Sequence, residues 1–511
     1  MALAKTIMIQ GTSSHVGKSL LCAALCRIFK QDGFRVAPFK AQNMALNSYV
    51  TLDGGEIGRA QGAQAEAAGV TATVQMNPIL LKPKQDLNAQ VVVLGKPLAD
   101  MSARDYRQHF LPRAVSLVKQ CLEDLRRQYD VLVIEGAGSP AEVNLKDRDI
   151  VNMRTAFLAE APVLLAADID RGGVFASLVG TLELLEPWER QKVAGFIINK
   201  FRGDLELLRP GLEFLEQRTG IPVLGVVPYL HGHGIEEEDS VSLAGTPKNP
   251  AGAELDIAVI QLPRISNFTD FDLLGRVPGV ALRFVGPADA LGQPDAVILP
   301  GTKNTVADLL YLREKGLDKE IMVLAQRGVP LVGICGGYQM MGKMLYDPLG
   351  TEAGLGNVPG LGLLDIETTF AAAKQTHRCS ARITCPELGW CKTEREIKGY
   401  EIHTGQVKLG EGAKPLLHIT SRSGIATCLA DGAVAEQGQI FGTHLHGLFD
   451  NSGLLLDWVN YLRNRKGLSP LTAGQLPVHR DEKYDRLAET VRRHLDMGTL
   501  YKIMGLGEIK A

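Results

Sequence analysis

Over the first 230 residues, short apolar runs alternate with stretches whose apolar positions recur at helical spacing. The runs at 6–10, 35–39, 131–135, 163–167, 193–199 and 223–227 are apolar at nearly every position. Strands with one face in water would alternate, so these predict parallel strands buried on both faces, with helices between them. The reading is a doubly wound α/β domain. The polar Pro/Gly stretch Ala244-Gly-Thr-Pro-Lys-Asn-Pro-Ala-Gly-Ala then breaks the pattern. A second α/β series starts at Leu255 and continues at 281–285, 295–300 and 330–334. From residue 361 the chain turns β-rich, with runs at 361–368, 381–384 and 399–404. It closes on a charged amphipathic helical tail, expected to pack against the second domain. The division predicted is a first domain at 1–243, a linker at 244–254, a second domain at 255–465 and a tail at 466–511.

Composition narrows the function classes. At 511 residues, 45% apolar and 22% charged, the chain reads as an ordinary globular protein. A net charge of −2 leaves no electrostatic footprint for nucleic acid or an anionic membrane. No apolar stretch reaches the ~20 residues that span a bilayer. Residues 1–5 run straight into the first strand, which leaves no room for a signal peptide. The eight cysteines contain no C-x-x-C pair. Cys379, Cys385 and Cys391 are evenly spaced, but the residues between them read as strand and turn, which argues against a zinc site. A cytoplasmic setting with reduced thiols and small-molecule partners is expected.

The first candidate chemistry is Gly11-Thr-Ser-Ser-His-Val-Gly17-Lys18-Ser19, between a strand and a helix start. This is the context of a phosphate-binding loop, whose backbone N–H groups and helix N-terminus converge on anionic oxygens. Thr12 stands where the common pattern has its first glycine. Gly11, Thr12, Ser13 and Gly17 would line the ATP phosphates, Lys18 would reach the outer ones, and Ser19 would ligate Mg²⁺. Other polar residues fall at the carboxyl ends of predicted strands, where open α/β sheets bind ligands. Glu135 and Asp53 are further metal candidates, and Asn199 is placed to read an adenine edge. Lys40, Gln42 and Asn43 form a cluster suited to an anionic substrate, and Asp168, Asp170 and Arg171 are further candidates.

The second is Gly333-Ile-Cys335-Gly336-Gly337, also between a strand and a helix. Small flanking residues permit the strained turn of a nucleophile elbow, and the helix N-terminus favours the thiolate. The Gly336 N–H, with a second donor from Gly301 in the Pro300-Gly-Thr-Lys loop, would form an oxyanion hole. Such a cysteine needs an imidazole. His444 and His446 alternate onto one face after an apolar strand, and His403 is a third candidate. A nucleotide site joined to a nucleophilic cysteine points to glutamine-dependent amidation.

Several runs resemble the cobyric acid synthase family, glutamine-hydrolysing amidotransferases of cobalamin biosynthesis. They are the phosphate loop, Phe39-Lys-Ala-Gln-Asn-Met-Ala-Leu-Asn-Ser, Met76-Asn-Pro-Ile-Leu-Leu-Lys-Pro, Ile134-Glu-Gly-Ala-Gly-Ser-Pro-Ala-Glu, Asp168-Ile-Asp-Arg-Gly-Gly-Val-Phe-Ala-Ser, Pro300-Gly-Thr-Lys-Asn-Thr and Gly399-Tyr-Glu-Ile-His. The resemblance implies a dethiobiotin-synthetase-like P-loop domain followed by a class I glutaminase domain. It implies ATP and Mg²⁺, with glutamine as nitrogen donor. It also implies a substrate, adenosylcobyrinic acid a,c-diamide, amidated at its b, d, e and g carboxylates. By position Cys335 matches the nucleophile and His446 its partner, since His444 stands where such proteins often carry tyrosine. Class I glutaminases usually place Glu two residues after the histidine. Here Leu448 stands there, so the orienting third member is not identified. A related ligase such as cobyrinic acid a,c-diamide synthase, or a non-enzymatic P-loop switch with an inactive glutaminase-like domain, is the competing reading.

Overall fold

The computed structural model of the protein describes residues 3–85, 88–230, 234–235, 252–287, 289–352, 354–435, 438–477 and 480–507. Residues 244–251 of the expected linker lie outside them. The chain forms two compact units. The first gathers Met1–Ala45, Glu56–Glu236 and Val478–Ala511, and the second Leu46–Gly55 and Glu237–Pro477.

The apolar runs of the first unit become six strands: β1 (Lys5–Gly11), β2 (Val36–Phe39), β3 (Val131–Glu135), β4 (Val163–Asp168), β5 (Val193–Phe201) and β6 (Val223–Pro228). They lie in the order β6-β5-β4-β1-β3-β2, and all neighbours are parallel. Ile7, Ile9, Val133 and Leu164 are fully buried, which is why these runs carry no polar alternation. The chain leaves β1 toward one side of the sheet and later returns to its other side. The end of β1 is therefore a switch point, where a crevice for ligand opens.

Two features of this unit depart from the sequence reading. Ile79–Gln85, Asn88–Val93 and Lys96–Ser102 form an unanticipated antiparallel meander, with Gln42–Met44 parallel along its edge. Of the tail expected at 466–511, residues 466–477 stay with the second unit, where Leu468, Leu471 and Leu476 pack on its core, but the helical part from 480 packs here. Helix Arg480–His494 lies on helix Lys18–Gln31, with Tyr484, Leu487, Ala488 and Val491 buried in the same core as Leu21 and Leu25. Arg27 clamps it through Asp485 at 2.7 and 2.9 Å and Asp481 at 3.2 Å.

The second unit has its own six-stranded sheet: β7 (Leu255–Ile260), β8 (Val280–Val285), β9 (Ala296–Leu299), β10 (Leu331–Ile334), β11 (Ala433–Ala435) and β12 (Ile440–Thr443). The order is β8-β7-β9-β10-β12-β11, parallel except for the last pair. Adjacency of β10 and β12 brings the segments after Ile334 and Thr443 side by side. The runs expected at 361–368 and 381–384 overlap the two ends of one long strand, Ile366–Ile383, antiparallel to Glu396–Leu409, with 361–365 lying before it. Its pairing slips between Phe370 and Gln375, which explains the interrupted sequence pattern.

Candidate functional site

In the first unit the phosphate loop runs from β1 into helix Lys18–Gln31. Its two glycines are fixed by crowding. A Cβ on Gly11 would lie 2.6 Å from Val16, and one on Gly17 would lie 2.2 Å from the Asn199 amide. Gly17 also takes φ 96°, a left-handed conformation that favours glycine. The Thr12 N–H is bound to the Ala166 carbonyl at 3.0 Å, and Ser13 is exposed. Lys18 donates to the Ser13 carbonyl of its own loop at 2.9 Å and to the Gly138 carbonyl, in the segment after β3, at 3.0 Å.

Glu135, at the end of β3, is the hub. Its Oε1 accepts from the Ser19 hydroxyl and from Lys40 Nζ, each at 2.8 Å. Its Oε2 accepts from Gln64 at 2.5 Å and Gln61 at 3.3 Å. Burial pushes this carboxyl up, but the Lys40 charge and the hydrogen bonds outweigh it and hold it below the ordinary range. Asn43 joins the network by donating to Gln61 at 2.9 Å. Among the described residues no three His, Cys, Asp or Glu side chains gather as a metal cluster. A cation here would rest on one carboxylate, hydroxyl and amide oxygens, and the phosphates themselves, a donor set that suits Mg²⁺.

Asp53 lies on the 46–55 segment, which belongs to the second unit, and there it accepts a hydrogen bond from Thr51. Asn199 is buried and its amide N–H donates to the Val16 carbonyl at 2.7 Å, which ties the phosphate loop to the end of β5. Asp168 is taken up by Lys200 at 2.9 Å. Gln42 accepts from the Tyr106 hydroxyl and lines a cavity of about 550 Å³ that reaches Gly138. Its walls are largely apolar, with Met44, Leu81, Val91, Met101 and Ile150 among them.

In the second unit Cys335 follows β10 at φ 51° and ψ −108°, the strained apex the glycine pattern predicts. The two glycines after the cysteine are fixed by crowding. A Cβ on Gly336 would lie 2.7 Å from Thr302, and one on Gly337 2.0 Å from the Leu299 carbonyl. The helix that follows, Gly336–Met340, is only 5 residues long. Gly301 stands against the histidine, for its Cβ would lie 2.9 Å from His446 Cε1.

His446 is buried and its Nδ1 lies 2.6 Å from Asp270 Oδ2. Asp270 comes from the one-turn helix Phe268–Phe271, and its Oδ1 accepts from the Gly447 N–H at 3.1 Å and the Tyr400 hydroxyl at 3.3 Å. The Tyr400 ring stacks on the imidazole at 5.1 Å. Burial alone would pull the imidazole pKa down. The Asp270 charge, the Cys335 sulfur and hydrogen bonds to both outweigh it, and the value rises to about 10. The carboxylate absent at Leu448 is therefore supplied by Asp270. The loop carrying it is braced by Asn47 and Ser48: the Ser48 N–H donates to Asn267 Oδ1 at 2.9 Å, and the Phe268 N–H to Asn47 at 3.3 Å.

The other two histidines are engaged elsewhere. His444 Nδ1 lies 2.8 Å from Asp431, and its ring stacks on His403 at 4.0 Å. His403 is held by the Gly405 carbonyl at 2.8 Å, and burial together with the His444 charge lowers its pKa.

Residues 7–239 match the CobQ/CobB/MinD/ParA nucleotide binding domain, and residues 256–454 the CobB/CobQ-like glutamine amidotransferase domain. The cobyric acid synthase of Desulforamulus reducens is 77% identical over 100% of both chains. That of Moorella thermoacetica is 55% identical over 99% of this chain and 98% of its own. That of Sorangium cellulosum is 54% identical over 98% and 99%. Among the described residues no helix is long and apolar enough to cross a membrane. The chain belongs to the cobyric acid synthase family.

Proposed function

We propose that this member of the cobyric acid synthase family amidates the b, d, e and g carboxylates of adenosylcobyrinic acid a,c-diamide, using ATP and glutamine. The observation that carries the reading is the Cys335, His446 and Asp270 array beside the Gly301 and Gly336 backbone, in a chain that also holds a phosphate loop. The Cys335 thiolate attacks the glutamine carboxamide carbon, and the Gly336 and Gly301 N–H groups take the developing oxyanion. His446, protonated on its sulfur-facing side, gives its proton to the departing ammonia. Water then attacks the glutamyl thioester, frees glutamate and restores the thiol. Asp270 fixes the tautomer and orientation of the ring throughout.

In the first unit a corrinoid carboxylate is a poor acceptor for ammonia, because its charge is delocalised. Attack of its oxygen on the γ-phosphorus of ATP releases ADP and leaves an acyl phosphate, whose phosphate ammonia then displaces. Lys18 and the loop N–H groups hold the phosphates, and Lys40 is placed to meet the transferred group. Mg²⁺ held by Ser19 and Glu135 would neutralise phosphate charge. The apolar cavity beside Gly138 suits part of a corrin rim, with Gln42 as its polar marker.

The test is incubation of the protein with Mg-ATP, glutamine and adenosylcobyrinic acid a,c-diamide, followed by product mass. Four successive acid-to-amide steps are expected. No amidation from glutamine or ammonium salt would overturn the reading.

A further inference from the structure

Beside Glu135 lies a buried acceptor whose donor is missing. Gln61 and Gln64 both sit on helix Arg59–Ala68, and their spacing puts both amides on one face. Gln64 Nε2 donates to Glu135 Oε2 at 2.5 Å and to the Ser19 carbonyl at 3.3 Å. Those acceptors fix which way the amide points, since an amide oxygen turned to a carboxylate would be repelled. The two oxygens differ in their surroundings. Gln61 Oε1 receives Asn43 at 2.9 Å, whereas Gln64 Oε1 is buried and has no hydrogen-bond partner among the described residues. Folded proteins seldom leave such an atom unmet, and this one belongs to an amide already anchored by its N–H to Glu135 and to the Ser19 carbonyl.

We propose that Gln64 Oε1 is a ligand of the Mg²⁺ that accompanies ATP, joining Ser19 and Glu135 where a second carboxylate was expected. This rests on reading the first unit as an ATP and Mg²⁺ site. Mg²⁺ takes hard oxygens at about 2.0–2.1 Å, and an amide carbonyl qualifies. The amide can serve the ion with its oxygen while its N–H keeps Glu135 turned toward the same point. A neutral ligand also has a consequence for order of binding. With Glu135 as the carboxylate that the described residues of the first unit bring to this network, and Lys40 already on it at 2.8 Å, the site holds a divalent ion weakly until the phosphates arrive. Metal and nucleotide therefore enter together.

Mn²⁺ can be titrated into the full-length protein with the non-hydrolysable analogue AMP-PNP, with free Mn²⁺ read by electron paramagnetic resonance. Gln64→Leu is expected to weaken Mn²⁺ about 10- to 100-fold, with analogue binding in EDTA unchanged. Gln64→Glu keeps an oxygen but loses the N–H that holds Glu135. It is expected to bind Mn²⁺ at least as tightly as wild type, and measurably without nucleotide. Weakened Mn²⁺ binding in Gln64→Glu would mean that Gln64 only positions Glu135, and would overturn the proposal. Unchanged Mn²⁺ binding in Gln64→Leu would overturn it as well. Absence of Mn²⁺ uptake by wild type with the analogue would remove the ATP and Mg²⁺ reading itself, an outcome distinct from the other two.

Discussion

The two candidate sites are built on the same plan and left in opposite states. Each sits at a strand end, on a glycine-rich turn into a helix, in a parallel sheet. Around Cys335 the chain brings together the candidate array: the sulfur on a strained apex, the imidazole, and the Asp270 carboxylate at 2.6 Å from it. Around Lys18 the chain's charges are turned on each other. Lys18 binds the Ser13 and Gly138 carbonyls, and Lys40 and Ser19 share Glu135. The difference follows from the chemistry. A covalent nucleophile must be aligned before substrate arrives, because a small misplacement of its orbital is costly. Phosphoryl transfer draws much of its charge from the ligand, and buried lysines need a carbonyl or carboxylate partner in any case.

The largest break in this comparison is Cys335→Ala. Glutamine-driven amidation is expected to fall about 10⁴-fold or more, because members of a catalytic unit fail together. Ammonia-driven amidation should continue, since the first unit's residues are untouched. Loss of both activities in a variant that keeps its wild-type melting temperature would mean that the two sites do not divide the labour. Product mass with glutamine or ammonium salt reads both arms.

Asp270→Asn comes next. It keeps the shape and removes the charge that offsets burial at His446. Glutamine hydrolysis at neutral pH is expected to drop about 100- to 1000-fold, from loss of tautomer control and of the imidazolium. The alkaline limb of the rate profile should also move down. In the native site the imidazole is raised to about 10, so a proton is available across neutral pH. For stability the sign is that of a raised histidine. Its contribution is full below the free value near 6.5 and is lost as pH rises through about 10. In the Asn variant that alkaline loss of stability should shrink. A rate profile whose alkaline limb does not move would deny Asp270 its role and return the site to a Cys-His pair.

Legibility in the sequence divides along similar lines. Buried parallel strands and crowded glycine turns leave dense local signals, so both sheets, the phosphate loop and the cysteine apex could be read from spacing. Asp270 could not be found by looking beside the histidine, because it lies 176 residues earlier in the chain. The signal that would have found it is its place in a polar loop following β7, the strand-end argument applied to Glu135. The meander was missed because its hairpin turns through Leu94 and Gly95, at φ 44° and 76°. Leucine in a left-handed turn gives no sequence warning. The tail was misplaced because an amphipathic helix states that one face is covered, not by what. The run at 39–48 reads as one motif, yet Lys40, Gln42 and Asn43 belong to the first unit and Asn47 and Ser48 to the second.

The smallest effect sharpens what sets the resting shape of the phosphate loop. Asn199 donates to the Val16 carbonyl at 2.7 Å from β5, and Gly17 leaves room for that amide. Asn199→Ala removes one buried hydrogen bond and leaves a carbonyl unpaired, a loss of about 1 kcal/mol in loop order. ATP is then expected to bind about fivefold more weakly, by titration calorimetry, with ATP-independent glutamine hydrolysis unchanged. The preference for ATP over GTP should also be unchanged if bracing the backbone is all that the amide does. A variant that loses its preference for adenine would place the Asn199 amide on the nucleotide, and the loop would then need another support. Retention of that preference alongside the fivefold loss would mean that the neighbouring strand, and not the loop's own sequence, holds the phosphate cradle open.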